Sequence, residues 1–310
     1  MDNDSVLTFF RLSGLNYTVQ HRIILFVLTL LCYSIIWIAN VVLIITITVD
    51  RKLHEPMYIF LCNLCINGLY GTAGFFPKFL TDLVSDTHVI SYAACLLQSY
   101  VIYSSCGADL SILAVMAYDR YVAICQPLMY HSVMTTQRIS LLVAFFWLLP
   151  LFCMLANTMT IFQLKLCGSH IPKLYCSNSL IAKLACSTPL TNMSISYFNI
   201  IIYIFHFFFL VWSYIYLVKK CLTSTQGRKK FMQTCMPHLV SLFNFATAVL
   251  FDLMYARFGS RILSQSLQNF MAVEFLLIPP VITPLVYGLT LTAIRSRILV
   301  FLGKKNKVSK

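Results

Sequence analysis

Apolar residues run along this chain in seven long stretches separated by short polar segments: Ile23–Thr48, Pro56–Phe79, Ser91–Tyr118, Ile139–Ile161, Asn192–Val218, Phe231–Tyr255 and Leu267–Leu289. Each can cross a bilayer, which takes roughly 20 helical residues at about 1.5 Å each. The stretches are too long and too numerous for strands of a membrane barrel. A bundle of helices remains as the way to satisfy every backbone group in lipid. The first stretch is followed by no small-residue cleavage site and reads as a span, not a signal peptide. The pattern predicts an all-α membrane protein: one seven-transmembrane helix bundle over residues 1–310, with short tails at 1–22 and 290–310.

Composition agrees. The chain is 59% hydrophobic and 11% charged, with mean hydropathy +0.79, whereas soluble domains are typically about 25% charged. With the N-terminus extracellular and the C-terminus cytoplasmic, 15 of the 23 Lys and Arg residues fall on the inner side, as membrane topology favours. The net charge of +13 is thus mainly a topology signal, and it suits anionic membrane lipid. No basic domain stands apart from the spans, so nucleic acid is not an expected partner. Two glycosylation sequons, at Asn3 and Asn16, lie on the outer tail; a third, at Asn192, begins the fifth span.

The twelve cysteines divide by depth. Cys32, Cys62, Cys65, Cys106 and Cys153 lie inside spans as small packing residues. Cys125, Cys221 and Cys235 lie at the reducing cytoplasmic face. Cys95, Cys167, Cys176 and Cys186 lie outside, and four cysteines allow three pairings. A bond from the long outer loop to Cys95 would pin that loop over the bundle mouth. Zinc ligation with His170 is the alternative, but an extracellular set of four is more often disulfide-bonded.

At the inner end of the third span stands M-A-Y-D-R-Y-V-A-I-C, Met116 to Cys125. A charge so near hydrocarbon is costly unless paired or hydrated. Asp119 and Arg120 are therefore either a functional pair or an ion pair marking the membrane boundary. Other strings follow in order: L-H-E-P-M-Y from Leu53, C-G-x7-C from Cys167, K-L-A-C-S from Lys183, S-Y-I from Ser213, K-F-M-Q-T-C-M-P-H-L from Lys230 and P-P-V-I-T-P-L-V-Y-G from Pro279. Together they resemble the olfactory receptors, a branch of the rhodopsin-like G-protein-coupled receptors, over nearly the whole chain. N-L-C-I-N-G-L-Y-G, Asn63 to Gly71, is similar to fish members of that family.

The resemblance implies disulfides Cys95–Cys176 and Cys167–Cys186. It implies an odorant receptor in the plasma membrane of olfactory sensory cilia, signalling through a stimulatory, olfactory-type G protein to raise cyclic AMP, with no cofactor. Asp119, Arg120, Tyr121, Tyr214, His238 and Tyr287 would form the coupling switch, with Arg120 held by Asp119 at rest. For His238 the alternative is a plain hydrogen bond to a neighbour. The family's second-span aspartate is replaced here by Gly68, and Asp109 stands where the family has glutamate. Related receptors hold a sodium ion between two such acids. Asp109 alone is the sodium candidate, with Asn40, Asn63, Asn67 and Asn244 as candidate partners.

The ligand site is expected in the outer half. Helical spacing puts Ile102, Tyr103, Cys106, Gly107 and Leu110 on one broad face of the third span. Phe198, Asn199 and Ile202 join from the fifth, and Val249, Leu250 and Leu253 from the sixth. Each is a ligand contact or a packing residue. The pocket is mainly apolar with few polar handles, as small-molecule sites tend to be. No acid near Ile102 offers the usual anchor of a monoamine. A transporter would show paired broken helices and a channel a polar pore ring; the sequence shows neither. H-E-x-x-H, G-x-S-x-G and phosphate-loop motifs are also missing, so an enzyme is not expected.

Overall fold

The computed structural model describes residues 9–13, 18–187, 189–221, 236, 239–247 and 265–301. Helices run over Val19–Val49 (α1), Pro56–Val84 (α2), Tyr92–Cys125 (α3), Tyr130–Val133 (α4), Thr136–Phe162 (α5), Asn178–Lys183 (α6) and Leu190–Cys221 (α7). A helical segment of the sixth span covers 239–247. Gln265–Thr290 (α8) and Thr292–Phe301 (α9) follow. Among the described residues, α1, α2, α3, α5 and α7 are each long and apolar enough to cross a membrane. The last turns of α8 and the start of α9 meet at 90°, so the tail expected at 290–310 contains a helix lying across the end of the bundle. The N-terminal tail likewise ends earlier than expected, because α1 begins at Val19.

Local chemistry sets the helix ends. The Thr18, Ser91 and Thr135 hydroxyls accept from the backbone N–H of His21, Ala94 and Arg138 at the starts of α1, α3 and α5, satisfying one orphan donor in each case. Pro56 opens α2 where no helical N–H is needed. Lys78 pairs with Asp82 one turn on, carrying α2 past Phe79. Pro77, Pro150, Pro279, Pro280 and Pro284 lie inside helices, each removing one backbone donor.

Helix α3 is the central post. Of its most apolar stretch 72% is buried, against 11% for α7, and it packs on α2, α5 and α7. The outward faces of α1 (Ile24, Leu28, Leu31, Ile35) and α7 (Ile201, Phe205, Phe208, Trp212) are exposed. Such continuous apolar faces are stable in lipid and not in water.

Among the described residues, three clusters make up the interior. The inner one joins Phe60 and Leu61, Ile112 to Ala117, Tyr214, Leu242 and Tyr287. A middle one joins Ile36, Phe75, Phe76, Ile102, Tyr175 and Leu276. The outer one surrounds Cys95 and Cys176 with Phe10, Leu12, Ile90, Ile161 and Ile171. The outer cluster contains a three-stranded sheet, absent from the sequence reading. Phe9–Leu12 (β1) pairs antiparallel with Val89–Ser91 (β2), Phe10 opposite Ile90. On its other edge it pairs parallel with His170–Ile171 (β3), Leu12 opposite Ile171. The tail's alternating burial drives Phe10 and Leu12 inward, with Phe10 fully buried.

Candidate functional site

At the inner end of α3, Asp119 is fully buried and Arg120 nearly so. Arg120 Nε donates to Asp119 Oδ2 at 2.9 Å, and its Nη2 makes an ion pair with the same oxygen. The other carboxylate oxygen accepts from the Tyr130 hydroxyl at 2.8 Å. Tyr130 sits on α4, in the loop that follows, and sequence reasoning missed it. Burial first, and then the Asp119 carboxylate, push the Tyr130 phenol well above its ordinary range, so its hydroxyl remains a donor at physiological pH. Tyr121 packs its ring on Tyr216 of α7, with centroids 5.6 Å apart. Tyr214 and Tyr287 lie buried with Met116 and Leu242 in the inner cluster. Arg297 of α9 reaches Asp50, the residue after α1, at 2.6 Å. Pro237 and His238 lie outside the described residues.

At the outer end the structure contains the disulfides Cys95–Cys176 and Cys167–Cys186, closing 81 and 19 residues of sequence separation. The loop is sewn to the first turns of α3. Cys176 N donates to Gln98 Oε1 at 2.9 Å, Ser99 Oγ to Asn178 Oδ1 at 2.7 Å and Tyr103 Oη to Ser177 Oγ at 3.1 Å. Tyr175, fully buried, meets Phe75 edge to face at 6.0 Å. All four outer cysteines are thus in disulfides, and no group of three metal-ligating side chains occurs among the described residues.

Beneath this loop lies a narrow cavity bordered by Gly71, Ile102, Cys106, Asp109, Phe245 and Leu276 among others. Ile102 and Cys106 therefore face one space. Tyr103 is tied to the loop, as above. Gly107 backs onto Tyr203 of α7: a Cβ there would come within 2.5 Å of the Tyr203 hydroxyl, so glycine lets the two helices approach. Leu110 is buried in the inner cluster.

The fifth-span residues turn out differently. Phe198 is 62% exposed on the lipid side, in line with Ile201 and Phe205. Asn199 is buried, but its amide donates to the Cys153 carbonyl at 3.1 Å, tying α7 to α5. Ile202 is half-buried, and Tyr203 lies on the bundle side. The spacing Asn199, Tyr203, Leu210, Tyr214 marks the inward face, a stripe that was there to be read. Val249, Leu250 and Leu253 lie outside the described residues, as do the sequons at Asn3 and Asn16.

Asp109 borders that cavity. Its Oδ1 accepts from Asn67 Nδ2 at 2.7 Å, and the same amide reaches the Ser105 carbonyl at 2.9 Å. Asn40 instead donates to the Ile36 and Pro280 carbonyls, and Asn63 to Ile59 while accepting from Trp147. A sodium ion held between two acids does not fit these residues. Gly68 supplies no ligand opposite Asp109, and one carboxylate oxygen is already committed to an amide donor.

A family model described as olfactory receptor matches residues 28–305. Olfactory receptor 1D2 of Pan troglodytes is 36% identical over 78% of this chain and 79% of its own length. Olfactory receptor 4E1 of Homo sapiens is 32% identical over 99% of this chain and 97% of its own length. The crystal structure of squid rhodopsin is similar with a TM-score of 0.67 at 19% identity, covering 93% of this chain and 87% of that one. At that identity the likeness speaks for the fold alone, a seven-helix membrane bundle.

Proposed function

The chain belongs to the olfactory receptor family, and from that membership we propose that it binds a small odorant in the cavity beneath the outer loop and activates a stimulatory, olfactory-type G protein, raising cyclic AMP. It is an odorant-type G-protein-coupled receptor, a multi-pass membrane protein and not an enzyme. The finer reading places it in the plasma membrane of sensory cilia, N-terminus outside, with its exposed apolar faces against lipid.

One observation carries this reading. The cavity wall at Ile102 and Cys106 and the buried Asp119–Arg120 pair sit on the same central helix. Cys106 precedes Arg120 by 14 residues, or roughly 21 Å of helix, so no small ligand touches both. Coupling must pass through a two-state bundle, with ligand favouring the open state. The Asp119 carboxylate holds Arg120 in the closed one. Opening frees the guanidinium for planar contacts that no shorter or neutral side chain reproduces.

The test is a cyclic AMP readout in cells expressing the full chain with a stimulatory α subunit, against a panel of volatile and water-soluble odorants. A responding odorant should lose its effect in Arg120→Ala at matched surface level. If Arg120→Ala and Arg120→Lys both signal as wild type does, Arg120 only anchors the helix and the coupling mechanism fails.

A further inference from the structure

Two cavities meet at Asp109. The outer one reaches up to Ile102 and Leu276. The inner one reaches down to Asn40, Leu113, Ser241 and Thr283. Gly68, Asp109, Phe245, Pro279 and Pro280 border both. Among the described residues Asp109 is the one acidic or basic side chain in either lining. Its side chain is partly open to the space, and its described partner is the neutral Asn67 amide.

A carboxylate in so apolar a setting is costly unless it takes a proton, is hydrated or meets a cation. The described ion pairs of the chain lie elsewhere, at Arg22, Lys78, Arg120 and Arg297. A second polar group points the same way. Ser241, 4% exposed, borders the inner cavity, and its hydroxyl has no hydrogen-bond partner among the described residues. Gly68 leaves room beside them: a Cβ there would sit 3.6 Å from Asn40 Oδ1, an ordinary contact. The space is not demanded by packing.

We propose that the Asp109 carboxylate and the Ser241 hydroxyl together anchor the ammonium group of a slender primary amine, whose apolar tail lies along Ile102, Cys106, Phe245 and Leu276. The inference rests on the receptor reading above and names its ligand class. An ammonium brings three N–H donors and no acceptor, which suits a carboxylate oxygen and an unpartnered hydroxyl. The remaining walls are apolar and suit an alkyl chain. Seven residues separate Ile102 from Asp109, about 10 Å of helix, so the ligand is long and narrow. A monoamine-type acid near Ile102 is still missing. The acid stands about two turns deeper, in the same cavity.

The test uses the full-length receptor in cells, with straight-chain primary amines from butylamine to octylamine and the matching 1-alcohols. Amines should be at least about tenfold more potent than alcohols of equal length. Asp109→Asn should remove that advantage, lowering amine potency about tenfold or more, since the charge pair is lost. Surface labelling normalises each variant. Gly68→Ala, which the spacing tolerates, should shorten the longest effective amine by one or two carbons, and it reports even if Asp109→Asn fails to reach the surface. Equal potency of amines and alcohols overturns the proposal, as does an amine response untouched by both variants. A response set by sodium ion alone and lost in Asp109→Asn overturns it in favour of an inorganic cation. If neutral odorants signal and amines do not, the amine inference falls and the receptor reading stands. If no odorant of either class signals, both fall.

Discussion

Tyr130→Phe should raise basal signalling. The substitution keeps the ring and deletes only the hydroxyl that donates to Asp119 Oδ1 at 2.8 Å. Hydrogen bonds to charged groups contribute about 1.5–3 kcal/mol. Tyr130 is only half-buried, so water recovers part of that, and the low end is the better figure. About 1.4 kcal/mol is a factor of ten in an equilibrium. Minor conformations are commonly populated at about 0.1–10%. A resting receptor active about 1% of the time would therefore become active about 10% of the time.

Asp119→Asn removes the charge that holds Arg120 and weakens the Tyr130 contact as well, so its basal signal should be higher still. The order expected for basal cyclic AMP per surface receptor is wild type, then Tyr130→Phe, then Asp119→Asn. Tyr130→Phe should add little on the Asp119→Asn background, because the two share one carboxylate. Basal signal in Tyr130→Phe equal to or below wild type, with Asp119→Asn raised, would refute the role given to the hydroxyl.

The two disulfides should matter unequally. Loop-closure entropy for 81 residues is about 4.5 kcal/mol and for 19 residues about 3.2 kcal/mol; both are upper values where helices persist in the unfolded chain. Cys95 and Cys176 also sit fully buried in the outer cluster, so Cys176→Ser should lower surface expression more than Cys167→Ser, and equal losses would argue against this ranking. The proposed topology, with the N-terminus outside, predicts that glycosidase shifts the gel mobility of the wild type and not of an Asn3→Gln/Asn16→Gln double mutant; a tail found in the cytosol would reverse the topology.

The spans were legible because lipid demands long apolar runs, and α1, α2, α3, α5, α7 and α8 overlap six of the seven, while of the sixth only 239–247 is described. Their ends were less legible, since polar pairs extend helices beyond the apolar signal. Lys78 with Asp82 carries α2 to Val84, and the paired Asp119 and Arg120 let α3 continue to Cys125. The sheet was invisible for a different reason. Its strands are four, three and two residues long, and only their juxtaposition with the disulfide makes them a unit. Which of the four asparagines, one on α1, two on α2 and one on the sixth span, meets Asp109 likewise depends on how these helices pack around α3, and no pattern within any one span reports that.

The fifth span shows where reading a membrane helix from sequence meets its physical limit. In a soluble helix the apolar stripe marks the buried face. In lipid the outward face is as apolar as the inward one or more so, and periodicity loses its sign. Phe198 and Tyr203 are both aromatic and five residues apart, yet the first faces lipid and the second fits against Gly107. What distinguishes the inward face is polarity and close approach. Asn199, Tyr203 and Tyr214 are among the inward polar groups of the helix, and a glycine receives one of them. The same criterion applied to α2 and α3 selects Asn67, Gly68, Gly71, Ser105 and Asp109, the residues that meet around the cavity. In this bundle small and polar residues mark the interior, and large apolar ones on α1 and α7 mark the lipid.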